Sequence, residues 1–422
     1  MNYFNLSKDE LLREKSLLDG KYLEIKGKKI NLNMSRGKPS DEQLNLSSDI
    51  LHNIDDNFIY SGFDIRNYGC LEGLPEARKI MSELMGCSPE DTIVGGNSSL
   101  SLMHDTICNF YVKGINGCKP WSEQKVKFLC PSPGYDRHFY ICEFFNIEMI
   151  QIKLNEKGPD MDTIESLVSK DESIKGIWCV PKYSNPEGIT YSDETVKRLA
   201  NLKPLAKDFK IFWDNAYGVH DLYDYVSLAN IFEECKKAHN ESLPIAYCST
   251  SKITFASAGI SAIGCLGENL ESMKKYFSTK IVSFDKLNQA RHIEFLENLE
   301  NIKNHMKEQA LILRPKFELI IDKFKKSFSD NPILKWTSPK GGYFISVYSH
   351  GSASRIEKLC SDLGIMITPA GASYPYGNDE DDSNIRIAPS YPSINELEIA
   401  VEIFILCVKI ASAEKILGSL SI

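Results

Sequence analysis

The sequence predicts an α/β protein in which a mainly parallel sheet is flanked by helices and joined to a smaller α+β domain. Short apolar runs that end in Gly, Pro, Ser, Asn or Asp lead to this prediction, together with the longer amphipathic stretches that separate most of them. Strands that alternate with helices are typical of a parallel sheet covered on both faces. The apolar runs lie at 125–135, 174–188, 209–218, 244–252 and 262–267.

The two ends of the chain are expected to form the smaller domain. A charged helical pattern over about 270–325 is followed by two strand-like segments, "GGYFISVYS" and "NIRIAPSYP", around a helix at 353–363. The closing stretch "INELEIAVEIFILCVKIASAEKIL" has apolar residues at helical spacing. A helix at about 7–19 is expected to join this unit. The predicted domains are therefore a large one over 50–300 and a small discontinuous one over 1–49 and 301–422.

Composition argues against several classes of protein. The chain has 422 residues, 42% of them hydrophobic and 25% charged, as in ordinary globular proteins. Its net charge is −8 without any Lys/Arg block, which argues against a nucleic-acid partner. Neither a signal peptide nor a membrane span is predicted, because no window is apolar enough. The 12 cysteines are dispersed without a C-x-x-C pair, so we expect reduced cysteines in a cytoplasmic protein and no metal site.

One lysine, Lys252, follows an apolar run at 243–247 and the polar residues Ser249-Thr250-Ser251, and the next charge is Glu268. A buried lysine at a strand end can pair with a carboxylate, bind an anion or act as an amine nucleophile. The ordinary alternative is a lysine whose stem packs and whose amine reaches solvent. Neighbouring polar clusters favour a functional role.

Two charged residues lie within strongly apolar segments. Asp214 ends the run in "FWDNAYG", where a buried carboxylate requires a cationic or hydrogen-bonded partner. Arg386 lies inside "NIRIAPSY", where a buried arginine requires a partner. A carboxylate that accepts from two guanidinium nitrogens is the partner with the best geometry.

Three polar turns follow other apolar runs, and each has two interpretations. In "IVGGNSSLSLMHD", backbone N–H groups and hydroxyls at a helix start suit a phosphate, although such residues also serve as plain helix caps. Tyr135 in "CPSPGYDRH" either packs internally or lies against a ligand as an aromatic plate. Asn185 in "YSNPEG" also fits a simple turn.

Taken together, these clusters provide an amine, an acid, a phosphate cradle, an aromatic ring and a carboxylate clamp. Pyridoxal 5′-phosphate chemistry needs this combination. The lysine holds the aldehyde as an imine and moves a proton, the acid keeps the pyridine nitrogen protonated, and the arginine binds the substrate α-carboxylate.

In chain order, the motifs "RNYGCLEG", "GGNSSLS", "PSPGY", "SNPEG", "DNAY", "STSK" and "NIRIAPS" resemble the fold-type I pyridoxal phosphate aminotransferases over roughly 30–410. The segments "NMSRGKPS" and "FDKLNQARH" resemble the atypical aspartate aminotransferase branch classed with MocR-type aminotransferase domains. The resemblance implies the PLP-dependent transferase fold of type I. It also implies a homodimer with shared active sites.

The resemblance also implies a role for each matched residue. Lys252, Asp214 and Tyr217 would be catalytic, with Lys252 bonded to the cofactor aldehyde and Asp214 paired with the pyridine nitrogen. Tyr135 would stack on the cofactor ring, and Tyr68 would reach the phosphate in the neighbouring subunit. The other implied contacts are Asn185 and Tyr217 at the ring oxygen, Gly96, Asn97, Ser98 and Ser249 at the phosphate, Arg386 at the substrate α-carboxylate, and Gly37 and Arg36 in the substrate pocket.

One position departs from the family pattern. Many relatives carry an arginine in a G-x-R pattern after the lysine, where it neutralises the cofactor phosphate. Here the corresponding stretch is Gly259-Ile260-Ser261, so the phosphate must rely on a helix dipole, hydroxyls or a cation from elsewhere.

The expected reaction transfers an amino group between an L-amino acid, with aspartate favoured, and a 2-oxo acid such as 2-oxoglutarate. It would proceed by a ping-pong mechanism through pyridoxamine phosphate. Arg36, Lys286 and Arg291 are candidates for binding a distal carboxylate, and each is equally explained as a surface charge. A β-lyase or decarboxylase remains open, because the same contacts support those reactions. A transcription regulator with an aminotransferase-like domain is disfavoured, because few residues precede Arg36.

Overall fold

The computed structural model describes residues 2–54 and 57–420. The strands are β1 (Leu32–Asn33), β2 (Ile59–Tyr60), β3 (Phe63–Asp64), β4 (Thr92–Val94), β5 (Lys127–Ser132), β6 (Glu148–Asn155), β7 (Gly158–Pro159), β8 (Ile174–Cys179), β9 (Lys210–Asp214), β10 (Pro244–Ser249), β11 (Ser261–Cys265), β12 (Leu334–Trp336), β13 (Ile345–Ser349), β14 (Ile365–Met366) and β15 (Asn384–Ile387). The helices are α1 (Lys8–Lys26), α2 (Asp41–Asn45), α3 (Pro75–Met85), α4 (Ser99–Lys113), α5 (Asp136–Phe144), α6 (Met161–Val168), α7 (Asp193–Ala200), α8 (Ile231–Lys237), α9 (Glu268–Lys280), α10 (Lys286–Leu296), α11 (Leu299–Phe328), α12 (Ala353–Asp362) and α13 (Ile394–Ser419).

An 8-stranded sheet forms the centre of the described chain, in the order β4-β11-β10-β9-β8-β5-β6-β7. Strands β5, β6, β8, β9 and β10 are parallel, while β11 is antiparallel to both β10 and β4. The predicted mainly parallel sheet with flanking helices is confirmed. Two further strands of this sheet are not predicted from the sequence: β4, which is short, and β6, whose alternating exposed residues lack a continuous apolar run.

Side chains of the central strands point alternately to two hydrophobic cores, one on each face of the sheet. In β9, Ile211 and Trp213 belong to one core and Phe212 belongs to the other. In β10, Tyr247 and Cys248 are divided in the same way. Because helices cover both faces, every position of β9 and every position of β10 before Ser249 is buried, which explains why these strands read as unbroken apolar runs.

A further core joins the two ends of the chain. Helix α1 packs on α13, and α13 also packs on α11 and α12. The three-stranded antiparallel sheet β12-β13-β15 contributes to the same core. Helix α11 belongs to two cores, because Ile302 and Met306 pack with the central sheet and Leu313 and Phe317 pack with the chain ends. The division at residues 49/50 and 300/301 stays a prediction.

The polar clusters meet at one edge of the central sheet. Asp214 is the last residue of β9, Ser249 is the last of β10, and Tyr135 follows the end of β5. Strands β4 and β10 point the same way because both are antiparallel to β11, so the loop 95–98 also lies at this edge. Loops at the carboxyl ends of parallel strands form the ligand-binding edge of such sheets.

The described residues contain no helix that is long and apolar enough to cross a membrane. Within the same ranges, no group of three or more His, Cys, Asp or Glu side chains is arranged to hold a metal ion. The cysteines are unpaired, and most of them are buried in the cores.

Candidate active site

Two cavities meet at the carboxyl edge of the central sheet. The Asp214 cavity, of about 210 Å³, extends from Asp214 to the start of helix α4. The Arg386 cavity, of about 560 Å³, lies between the sheet edge and the residues around Arg386. The side chains that line both cavities are Tyr135, Asn185, Tyr217 and Lys252.

Asp214 presents one free acceptor to its cavity. Its Oδ2 lies 3.1 Å from Nε2 of His138, whereas its buried Oδ1 makes no hydrogen bond within the described residues. His138 is itself stacked on Trp178, with ring centroids 4.2 Å apart. A buried acceptor without a partner is costly, so this oxygen is suited to a ligand that donates a proton to it.

Lys252 lies three residues after the end of β10, with its amine 4.9 Å from the centre of the Tyr217 ring. Burial lowers the pKa of Lys252 from its ordinary value, and the charge of Asp214 partly opposes this effect. Burial likewise raises the pKa of Tyr217, so its hydroxyl stays protonated and can donate. The lysine is therefore a half-buried amine beside a donor and an acid, with no ion pair to occupy it among the described residues.

Arg386 is buried on β15 and is held by several contacts. Its Nη1 donates to Asn185 Oδ1 at 3.2 Å and to Asp136 Oδ1 at 3.1 Å, and its Nε donates to Thr368 at 3.3 Å. The guanidinium also lies over the Phe344 ring, 4.9 Å from its centre. These contacts leave Nη2 without a hydrogen bond to the described residues. Arg386 is thus a fixed guanidinium with donor capacity facing a cavity, which suits a small carboxylate.

The loop 95–98 and the first turn of α4 close the other end of the Asp214 cavity. Ser98 is the N-cap of α4, and its side chain makes no capping hydrogen bond. Ser98 and Ser249 both line the cavity. Asn97 does not line the cavity, and its amide donates to Ser257 O at 2.8 Å. Gly96 is exposed, and a Cβ there would meet nothing within 4 Å, so close packing does not require a glycine.

Gly37 and Arg36 line the Arg386 cavity. A Cβ on Gly37 would lie 2.5 Å from Cζ of Phe344, so only glycine fits beside this ring. Arg36 is exposed at the mouth of the cavity. Both residues therefore line the same cavity as Arg386, and their roles in substrate binding stay predictions.

The other predicted cations lie away from both cavities. Lys286 is buried, and its amine donates to the carbonyls of Asn67 at 2.5 Å and Gly69 at 2.9 Å. Arg291, five residues further along α10, does not line either cavity. Tyr68, between the two carbonyls that Lys286 binds, is 79% exposed and points outside the site of its own chain.

Sequence reasoning missed His138, Asp136 and Arg137, which all lie in the quoted motif "CPSPGYDRH". His138 contacts Asp214, Asp136 contacts Arg386, and Arg137 lines the same cavity as Arg386. Their position directly after a predicted strand indicates that they lie at the ligand-binding edge of the sheet. Their partners could not be predicted, because these lie far away in the sequence.

Comparisons with known proteins agree with this architecture. The family model described as aspartate amino-transferase matches residues 6–419. An aspartate aminotransferase of Corynebacterium glutamicum is 40% identical over 400 residues, covering 93% of this chain and 92% of that protein. The crystal structure of an aspartate transaminase from the same organism superimposes with a TM-score of 0.95 at 37% identity, covering 98% of this chain and 99% of the other. An α-aminoadipate aminotransferase structure from Thermus thermophilus shares the fold, with a TM-score of 0.73 at 18% identity, covering 92% and 93%.

The sheet, the two cavities and these similarities define a fold-type I aminotransferase. The chain belongs to the aspartate aminotransferase family. The finer placement in the branch classed with MocR-type domains stays a prediction.

Proposed function

We propose that this protein transfers the amino group of L-aspartate to 2-oxoglutarate with pyridoxal 5′-phosphate as its cofactor. The observation that carries the cofactor assignment is the buried Oδ1 of Asp214, which has no hydrogen-bond partner within the described residues. A protonated pyridine nitrogen is the donor that this oxygen lacks. The aspartate aminotransferase of Corynebacterium glutamicum supports the choice of substrate.

The residues of the Asp214 cavity fit this cofactor. Asp214 would hold the ring nitrogen, with His138 fixing the orientation of the carboxylate. Asn185 and Tyr217 would donate to the ring oxygen, and Tyr135 would cover one face of the ring. Ser98, Ser249 and the N-terminus of α4 would bind the phosphate. Bound there, the cofactor supplies the aldehyde that receives the amino group and the ring that withdraws electrons from the reacting carbon.

Lys252 would then be the residue that moves the proton. Its pKa is lowered by burial, so its uncharged form is available at lower pH than that of an ordinary lysine. A neutral amine beside the reacting carbon can take up a proton and return it elsewhere. Arg386 would hold the α-carboxylate and thereby orient the substrate toward Lys252, since both residues line one cavity.

We further propose a cytoplasmic homodimer with shared active sites. Tyr68 is held outward by the bonds of Lys286 to Asn67 and Gly69, which suits a residue that reaches a neighbouring subunit. The dispersed, unpaired cysteines support a reducing compartment.

The test follows both products in the purified protein supplied with pyridoxal phosphate, L-aspartate and 2-oxoglutarate. We expect glutamate and oxaloacetate in equal amounts, and loss of both in Lys252→Ala. The matched control is Lys79→Ala, which removes an exposed lysine on α3 and should leave the activity intact.

The same assay distinguishes the alternative reactions. With L-cysteine in place of aspartate and no amino acceptor, release of hydrogen sulfide, ammonia and pyruvate would show a β-lyase. Alanine formed from aspartate with release of carbon dioxide would show a decarboxylase. Either result, without glutamate, contradicts the proposed transfer.

A further inference from the structure

The Arg386 cavity is lined by more arginines than one carboxylate needs, together with the carboxylates of Asp136 and Glu357. Three guanidinium groups line it, those of Arg386, Arg137 and Arg36. One of them, Arg386, is sufficient for the α-carboxylate. Arg137 and Arg36 are then available for a second carboxylate of the substrate. The choice between them rests on the proposed function, in which the substrate is a diacid.

Asp136 connects two of the three guanidinium groups. Its Oδ1 lies 3.1 Å from Nη1 of Arg386, and its Oδ2 lies 4.0 Å from Nε of Arg137. A single carboxylate therefore lies between the two arginines, and the nitrogens that face it are at most roughly 9 Å apart, given carboxylate oxygens about 2.2 Å apart. The carboxylate carbons of a four- or five-carbon diacid are roughly 4 to 5 Å apart, given carbon–carbon bonds of about 1.5 Å. A diacid can thus place one carboxylate on each arginine.

Arg137 has free donors and a defined position. It lies in the first turn of α5, and its guanidinium lies over the ring of Tyr140, 5.3 Å from the centre. The 4.0 Å contact with Asp136 is too long for a hydrogen bond, and Arg137 donates none to the described residues. Arg137 lines the cavity with its side chain 49% exposed and its donors unused, and such a fork is suited to bind a carboxylate through two nitrogens.

Arg36 is placed less favourably. It lies in the irregular segment between β1 and α2, without a helix to define its direction, and no contact links it to Arg386. The remaining candidates from the sequence, Lys286 and Arg291, do not line the cavity.

We propose that Arg137 binds the distal carboxylate of a dicarboxylic substrate while Arg386 binds its α-carboxylate. Arg137 therefore determines specificity for diacids over monoacids. Asp136 lies between the two arginines, where its charge offsets the repulsion between their like charges.

The first test compares L-aspartate with L-alanine in the holoenzyme and in Arg137→Gln, Arg137→Lys, Arg36→Gln and Arg13→Gln. In Arg137→Gln we expect kcat/KM for aspartate to fall about 10- to 100-fold, as for loss of a charged hydrogen-bonded pair, and that for alanine to change less than about 2-fold. Arg137→Lys should recover part of the loss, because it restores the charge without the fork. Arg13 is exposed on α1, so Arg13→Gln should change neither substrate. Equal loss for both substrates in Arg137→Gln, or selective loss in Arg36→Gln alone, overturns the proposal.

The second test measures binding without turnover, so that the two proposals can fail separately. Calorimetry on the holoenzyme would compare succinate, a diacid, with butyrate, a monoacid. We expect Arg137→Gln to weaken succinate about 10-fold or more and to leave butyrate unchanged. If the wild-type protein does not turn over aspartate but shows this selective loss, the proposed function fails and the role of Arg137 stands. If aspartate is turned over and succinate binding is unaffected, only the role of Arg137 fails.

Discussion

His292 is expected to make the fold around the lysine loop sensitive to acid. The imidazole is 1% exposed, its Nδ1 lies 2.8 Å from Asn288 O, and its Nε2 lies 2.9 Å from the Thr254 hydroxyl. Since a carbonyl only accepts, Nδ1 carries a proton, while Nε2 faces a hydroxyl that also lies within hydrogen-bond distance of Thr250 O. Burial, together with the nearby charge of Arg291, lowers the pKa of His292 from 6.5 to about 4.

The size and sign of the effect follow from the two pKa values. Below about pH 6.5 the imidazole becomes protonated in the unfolded chain, but in the folded protein it stays neutral until about pH 4. The free energy of unfolding should therefore fall as the pH is lowered through this window, by about 3 kcal/mol in total. Above the window the stabilisation is fully present, and below it this group contributes no further change.

The assay is urea unfolding followed by circular dichroism at a series of pH values between 7 and 4. His292→Asn keeps a donor near Asn288 O but cannot titrate, so its stability should depend less on pH across the window. His52→Asn, which removes an exposed histidine, is the matched control and should keep the wild-type dependence. If His292→Asn shows the same pH dependence as the wild-type protein, the assignment of the acid sensitivity to His292 is refuted.

Three further predictions concern the active site. Lys286→Met removes two hydrogen bonds of a buried amine and should release the loop that presents Tyr68. Retention of pyridoxal phosphate, measured by dialysis, should then weaken about 10-fold. Unchanged retention would contradict this prediction. Covalent capture of pyridoxal phosphate by the apoprotein should rise with pH. Because burial lowers the pKa of Lys252, the midpoint should lie below the ordinary lysine pKa of about 10.4. A midpoint at or above that pKa would contradict this prediction. Gly37→Ala should raise the KM for aspartate, because the added Cβ would displace the Phe344 ring beneath Arg386. A KM equal to that of the wild-type protein would contradict this prediction.

The fold class could be predicted because the central strands are buried on both faces. Their continuous apolar runs differ clearly from the amphipathic helices between them. Strand β6 could not be predicted in the same way, because it lies near the edge of the sheet and alternates with exposed residues. Unbroken apolar runs detect strands that are buried on both faces, and they miss a strand that alternates with exposed residues.

Lys252, Asp214 and Arg386 were conspicuous because charge is rare inside apolar segments, and the structure brings all three to adjoining cavities. Their implied roles remain proposals. Lys286 was an equally reasonable candidate for a substrate-binding cation, yet its amine is used by backbone carbonyls. The position of Arg137 in the Arg386 cavity could not be predicted from the sequence, because it depends on folding rather than on local sequence. The identity of a residue shows what it can bind, whereas only its position shows what it meets.

Ser261 shows how the chain can accommodate a phosphate without the arginine found in many relatives. The serine is fully buried on β11, and both its backbone N–H and its hydroxyl donate to Gly96 O at 2.8 Å. Its carbonyl accepts from Gly95 N–H at 2.7 Å, so Ser261 fixes the loop that leads into helix α4. Among the described residues that line the Asp214 cavity, Lys252 is the only cation. A phosphate there would meet about half a positive charge from the helix N-terminus together with the donors of Ser98 and Ser249. Its binding would depend on the geometry of the loop, which Ser261 maintains, rather than on a guanidinium.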